Sequence, residues 1–187
     1  MTDWLRGSWL QTYTGKQFYP FSPTVDSIDI NDIAHALAMT CRFGGHCKVF
    51  YSVAQHSVLV AEKAPPHLAL RALMHDAPEA YVGDLVRPIK KHPEMAAFEW
   101  VEQTVERAIC ARFDLPFPIM DATIKRLDNR ILLDEREQVM TATDHDWQVD
   151  GEPLGVTIEP WAPEIARWKF LDAFERCSQW AKLTEVA

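Results

Sequence analysis

Ile124, Leu127 and Ile131 recur every three or four residues through "DATIKRLDNRILLDEREQVM" (121–140), and "EMAAFEWVEQTVERAICARF" (94–113) carries a similar spacing. A period near 3.6 places such residues along one face of a helix, and no stretch in the middle of the chain alternates as a strand would. Two amphipathic helices of this length, separated by "DLPFP" (114–118), must bury their faces against further helices. The expected class is therefore all-α, a compact helical bundle. With 187 residues, 48% hydrophobic and 25% charged, the chain is sized for a single domain over 1–187.

Punctuating residues place the other elements. Residues 1–28 mix Trp, Tyr, Phe, Gly and Pro without helical period, which predicts an irregular aromatic N-terminal arm, packed over the body, that could hold a short hairpin. Asp29 or Asn31 can cap a helix through "DIAHALAMTCRF", stopped by Gly44-Gly45. Ser52 and Gln55 make a capping-box pair at the head of "SVAQHSVLVAEKA", which runs to Pro65-Pro66. "HLALRALMH" and a short "APEAYV" ending at Gly83 follow. Beyond a core of about 30–140, residues 141–162 read as loop that could form a short β-ribbon near 147–158. "PEIARWKFLDAFERCSQWAKL" closes the chain as a helix with Ile165, Trp168, Leu171 and Phe174 toward one side.

The formal net charge of −8 argues against a nucleic-acid polymer as partner, because displacing counterions needs a basic face. Four cysteines without C-x-x-C spacing, and no secretory pattern at "MTDWLRGSWLQ", lead to the expectation of a reduced, cytoplasmic protein. The longest uncharged stretch, Val49 to Ala61, is too short to span a bilayer, so no membrane segment is expected.

Against this pattern, "ALMHDAPEAYVGDLVRP" (72–88) sets His75, Asp76, Glu79 and Asp84 within ten residues at the end of an apolar run. Read locally, Pro78 breaks a helix there, His75 sits against its dipole, and Asp76 could cap the next helix with Glu79 closing a capping box. His56 shares an apolar stripe with Val53 and Val60, where a lone histidine is commonly a hydrogen-bonded core residue. Asp128 lies between Ile124 and Ile131, while Lys125, Arg126 and Arg130 project largely to other faces. An ionised acid on such a stripe needs an arginine from elsewhere, a metal or strong donors. Taken together, His56, His75, Asp76 and Asp128 come from three helices and all point inward. Two imidazoles and two carboxylates suit one divalent ion with coordination positions left open, and Mn²⁺, Co²⁺, Mg²⁺, Zn²⁺ and Fe²⁺ are all compatible.

These residues resemble the H…HD…D signature of the HD-domain metal-dependent phosphohydrolases: "QHS" at 55–57, "HD" at 75–76 and "LDNR" at 127–130, in that order. "HDAPEAYVGDLVRPIK" looks like the HD-x-x-E-x-x-x-x-D-x-x-x-P-x-K stretch of small YfbR-like 5′-deoxynucleotidases, and "CRF" at 41–43 resembles their Arg-aromatic pair. The resemblance implies an enzyme, a phosphoric ester hydrolase with one divalent metal held by His56, His75, Asp76 and Asp128. It further implies Glu79 as the group that orients or deprotonates the attacking water, Asp84 beside a sugar hydroxyl or the leaving oxygen, and Arg42, Phe43 and Lys90 as substrate contacts. Lys48, Arg87 and Lys91 are further phosphate contacts or plain surface charges. The substrate implied is a small nucleotide, foremost a deoxynucleoside 5′-monophosphate yielding deoxynucleoside and phosphate. A triphosphate yielding tripolyphosphate is the alternative. Small HD proteins commonly assemble as homo-oligomers.

Other readings stay open at the level of sequence. A two-iron HD oxygenase would need further histidines, for which His35, His46 and His67 are available. A different phosphoester and a regulatory helical domain with a structural metal are the remaining rivals. Neither a G-x-x-x-x-G-K-[ST] loop nor a G-x-S-x-G elbow is present.

Overall fold

The computed structural model describes residues 8–185, and side chains as far as Trp180; the first seven residues of the expected aromatic arm lie outside the described residues. The described part of that arm folds as a small antiparallel hairpin, β1 (Leu10–Gln11) against β2 (Gln17–Phe18), with Leu10 opposite Phe18. Gly15 turns the chain at φ +83°, a conformation that costs a residue without a Cβ little. Several contacts hold the hairpin to the body, among them Lys16 to Asp29 at 3.0 Å and the Tyr13 ring stacked on His35. Thr14 donates from its N–H and hydroxyl to Asp32 at 2.7 and 3.0 Å, and fully buried Phe18 stacks on Tyr81 with centroids 4.1 Å apart.

The helices follow as α1 (Ile30–Met39), α2 (Val53–Lys63), α3 (Ala69–Met74), α4 (Glu79–Val82), α5 (Arg87–Lys90), α6 (Ala96–Phe113), α7 (Ala122–Gln138) and α8 (Pro163–Glu185). Asp29 caps α1 through the Asn31 N–H and Asp121 caps α7 through those of Thr123 and Ile124, satisfying otherwise orphaned first-turn donors. α1 ends at Met39 rather than at the Gly44-Gly45 pair. Thr40 is extended, and the chain pairs briefly with the segment before α2, Arg42 N–H donating to Tyr51 O at 2.9 Å. Ser52 caps α2 by accepting from the Gln55 N–H. The Gln55 side chain does not close the expected capping box. It donates to Glu159 O and accepts from the Trp161 N–H, fastening the approach to α8 onto α2.

α2 is central, packed by α1, α3, α7 and α8, and every residue from Val53 to Ala61 is buried. The closing helix turns a different face inward than its spacing suggested. Ala166, Phe170 and Ala173 are buried, whereas Ile165 and Trp168 are 47% and 62% exposed. Small residues at 166 and 173 present the flatter side, which lets neighbouring backbones approach.

No β-ribbon forms near 147–158. Leu154, Val156 and Ile158 alternate inward as in a strand, yet their backbone bonds go to side chains. Asp134 accepts from the N–H groups of Leu154, Gly155 and Val156, and Gln138 bonds Val156 O and the Ile158 N–H. α7 thus supplies what a partner strand would have supplied. No helix is long and apolar enough to cross a membrane among the described residues.

Candidate metal centre

His56 lies one turn into α2 and is fully buried; His75 follows the last residue of α3, with Asp76 next to it; Asp128 sits midway along α7. Packing brings these helices to one point. His56 Nε2 is 3.3 Å from His75 Nε2, 3.5 Å from Asp76 Oδ2 and 3.4 Å from Asp128 Oδ1. His75 Nε2 is 3.1 Å from Asp76 Oδ2 and 3.9 Å from Asp128 Oδ1. Donor atoms of His56, His75 and Asp76 all fall within 4.8 Å of one another. Asp76 does not act as a helix cap: its backbone carbonyl accepts from the Glu79 N–H while its carboxylate turns to the histidines.

The outward nitrogens decide what this cluster can hold. His75 Nδ1 lies 2.7 Å from Ala72 O, which can only accept, so that nitrogen carries the proton. His56 Nδ1 lies 2.7 Å from Glu135 Oε1, a carboxylate oxygen, and carries one too. The two Nε2 atoms therefore face each other across 3.3 Å, amid two carboxylates, and in neutral rings both would present lone pairs. Two lone pairs do not bond, so this arrangement requires a proton or a cation between them. A divalent ion fits the donor set, and the outer bonds to Ala72 and Glu135 are those that orient metal-ligating imidazoles.

The electrostatics favour positive charge at this point, whether a proton or a metal ion. Burial and Arg42 push the His56 imidazolium down, but Glu135 and Asp128 outweigh them and raise its pKa to about 9. Burial raises Asp76 and Asp128, yet the two histidines hold both carboxyls below the usual range. Lys125 also bears on Asp128. Contrary to the expectation that it points elsewhere, its Nζ reaches forward one turn to Asp128 Oδ2 at 2.7 Å.

Glu135 was not foreseen. It is fully buried and accepts from Tyr51 Oη at 2.9 Å, His56 Nδ1 at 2.7 Å and Arg42 Nη2 at 3.2 Å. The spacing Ile124, Asp128, Ile131, Glu135 runs along a single helical stripe, and this was the available signal. Arg42 is buried, its charge held by Glu135 and by Asp76, 3.6 Å from Nη1. It is neither a solvated residue nor free to serve substrate alone.

The cluster opens onto a cavity of about 1040 Å³, lined by Asp76 and Asp128 together with Arg42, Phe43, Glu79 and Asp84. Lys90 also faces it, 2.6 Å from Glu102 and 3.9 Å from Glu79, and Arg87, Lys91 and Lys125 add positive charge. Lys48 is not part of its wall. Glu79 is buried, with Oε2 lacking a hydrogen-bond partner. Burial and the neighbouring Asp76 and Asp84 push its carboxyl well above the usual range. Asp84 is raised by burial and Asp76 against Arg42. Phe43 adopts φ +56°, and its ring lies 5.2 Å from the Arg42 guanidinium carbon. Of the spare histidines, His46 lines the cavity, His35 stacks on Tyr13, and His67 sits on the turn before α3.

No family model matches the chain. It is 36% identical over 178 residues to the uncharacterized protein YfdR of Escherichia coli strain K12, covering 94% of this chain and 98% of that protein. An uncharacterized protein of Rhodobacter capsulatus is 36% identical over 131 residues, covering 65% of this chain and 66% of its own.

Proposed function

We propose that this chain, which belongs to the family of YfdR, is an HD-type, divalent-metal-dependent phosphohydrolase that cleaves the 5′ phosphoester of a deoxynucleotide. Its foremost substrate is a deoxynucleoside 5′-monophosphate, which water converts to deoxynucleoside and phosphate. The observation that carries the reading is the pair of facing Nε2 atoms, flanked by two carboxylates at the wall of a large cavity lined by both cations and carboxylates. A site whose metal were only structural would be closed by its protein ligands, whereas this one borders open space beside spare acids.

A divalent ion held by His56, His75, Asp76 and Asp128 would supply concentrated positive charge for the phosphoryl group and for the attacking water. The chain's own residues do the rest. Glu79, with a carboxyl oxygen that lacks a hydrogen-bond partner and a raised pKa, is suited to exchange a proton with the attacking water. Asp84, on the same wall, is placed to pass a proton to the departing 5′ oxygen. Arg42 holds Asp76 and Glu135 in place and brings its charge to the cavity, with Lys90 beside Glu79.

The test is product analysis after chelation and reloading with Mn²⁺, Co²⁺ or Mg²⁺, using all deoxy- and ribonucleoside mono- and triphosphates. Metal-dependent release of a deoxynucleoside with phosphate supports the reading, and tripolyphosphate would move the substrate to a triphosphate. Asp76→Ala loses metal and activity together. Glu79→Gln retains metal binding and loses about 100-fold or more in kcat. Stoichiometric metal binding without turnover of any nucleotide would replace this reading with a different phosphoester substrate or a structural metal domain.

A further inference from the structure

Between Met140 and Glu152 the chain leaves α7 and returns to it as an irregular flap. Its return is fastened, since Arg130 donates to Glu152 O and Pro153 O and Asp134 holds the next three N–H groups. The tip is not. Residues 143–148 make local bonds, His145 N–H to Thr143 and Gln148 N–H to Asp146, and the ion pair joining them to α7 is Arg136 to Asp146 at 4.0 Å. Gln148 at φ +52° turns the tip, so Trp147 and Val149 face inward while their neighbours are exposed.

Trp147 lines the cavity, and its ring meets Phe43 with centroids 5.7 Å apart and planes at 52°. Leu132, Met140 and Val149 extend this apolar end. From the candidate centre the contacts run in order: Asp76, the Arg42 guanidinium, the Phe43 ring, the Trp147 indole. Charge for an anionic group lies at one end of that series and flat aromatic surface at the other. A ring pair this close leaves no room for a third plane between its members. The loosely held tip is the part that can move to admit one.

We propose that Trp147 is a specificity-determining residue: it opens from Phe43 and stacks on the nucleobase of the bound nucleotide, selecting base-bearing phosphoesters over base-free ones. This rests on the nucleotide reading above, but it can fail separately. The experiment compares wild type, Trp147→Ala and Trp147→Phe for kcat/KM on deoxynucleoside 5′-monophosphates and on 2-deoxyribose 5-phosphate. In parallel, binding of the same two ligands to chelated protein is measured calorimetrically. Stacking on one aromatic ring is expected to contribute about tenfold. The preference for nucleotide over sugar phosphate should fall about tenfold in Trp147→Ala, through KM rather than kcat, and recover in part in Trp147→Phe. Calorimetry should show the same change without any turnover. A wild type that hydrolyses nucleotides, with a preference unaltered by Trp147→Ala, overturns this role and leaves the proposed activity standing. Nucleotide binding that depends on Trp147 in a protein that hydrolyses nothing supports the role while refuting the activity. A wild type that neither binds nor hydrolyses nucleotides overturns both.

Discussion

Glu135 shows how one residue sets the state of several others. Its carboxylate faces Tyr51, His56 and Arg42, and with Asp128 it raises His56 to about 9 against burial and the nearby guanidinium. His56 therefore binds its proton more tightly folded than unfolded. In metal-free protein that stabilisation is complete below about pH 6.5 and is lost as pH rises through about 9. The Tm of chelated protein should fall across this window, and Glu135→Gln, which keeps an acceptor but removes the charge, should move the fall to lower pH. A pH-independent Tm between 6.5 and 9 would contradict the assignment. His56 and Asp128 were legible because each is polar where the period demands an apolar residue, and His75 and Asp76 because they stand together at the end of an apolar run. Glu135 lies on the same stripe two turns past Asp128 but sits in a run of charged residues, "LDEREQ", where one buried acid looks like its solvated neighbours.

At the scale of elements, caps and breakers placed most helices well, while the segments between them departed from expectation. Ser52, Asp29 and Asp121 cap where local chemistry puts them, because capping depends on residues within one turn. The stretch 147–158 was readable as extended but not as unpaired. Its alternation is real, yet its partners are the Asp134 and Gln138 side chains of α7. Asp134 alone satisfies the N–H groups of Leu154, Gly155 and Val156 at 2.7, 3.1 and 3.1 Å. Asp134→Ala should cost about 3 kcal/mol in urea unfolding, because buried donors lose their acceptor, and Asp134→Asn, with one carbonyl oxygen left, should cost less. Equal stabilities for wild type and alanine variant would mean water replaces the carboxylate freely.

For the whole molecule, the candidate ligands tie α2, the end of α3 and α7 into one point, so ion binding and global folding should be coupled. At a free metal concentration a hundredfold above Kd the folded state gains about 2.7 kcal/mol. For a chain of this size that corresponds to a rise in Tm of roughly 5–10 °C. Asp128→Ala should abolish the rise, and an unchanged increment in that variant would remove Asp128 from the ligand set. What the sequence determined by itself was the all-α class, most helix positions and the inward-facing His and Asp residues, since periodicity, capping and helix breaking act over a few neighbours. Tertiary structure alone decided that two imidazole Nε2 atoms meet, that Glu135 and Arg42 are buried behind them, and that Trp147 reaches Phe43 across 104 positions of chain. Those meetings depend on how helices distant in sequence pack around α2, and no local pattern encodes the register of that packing.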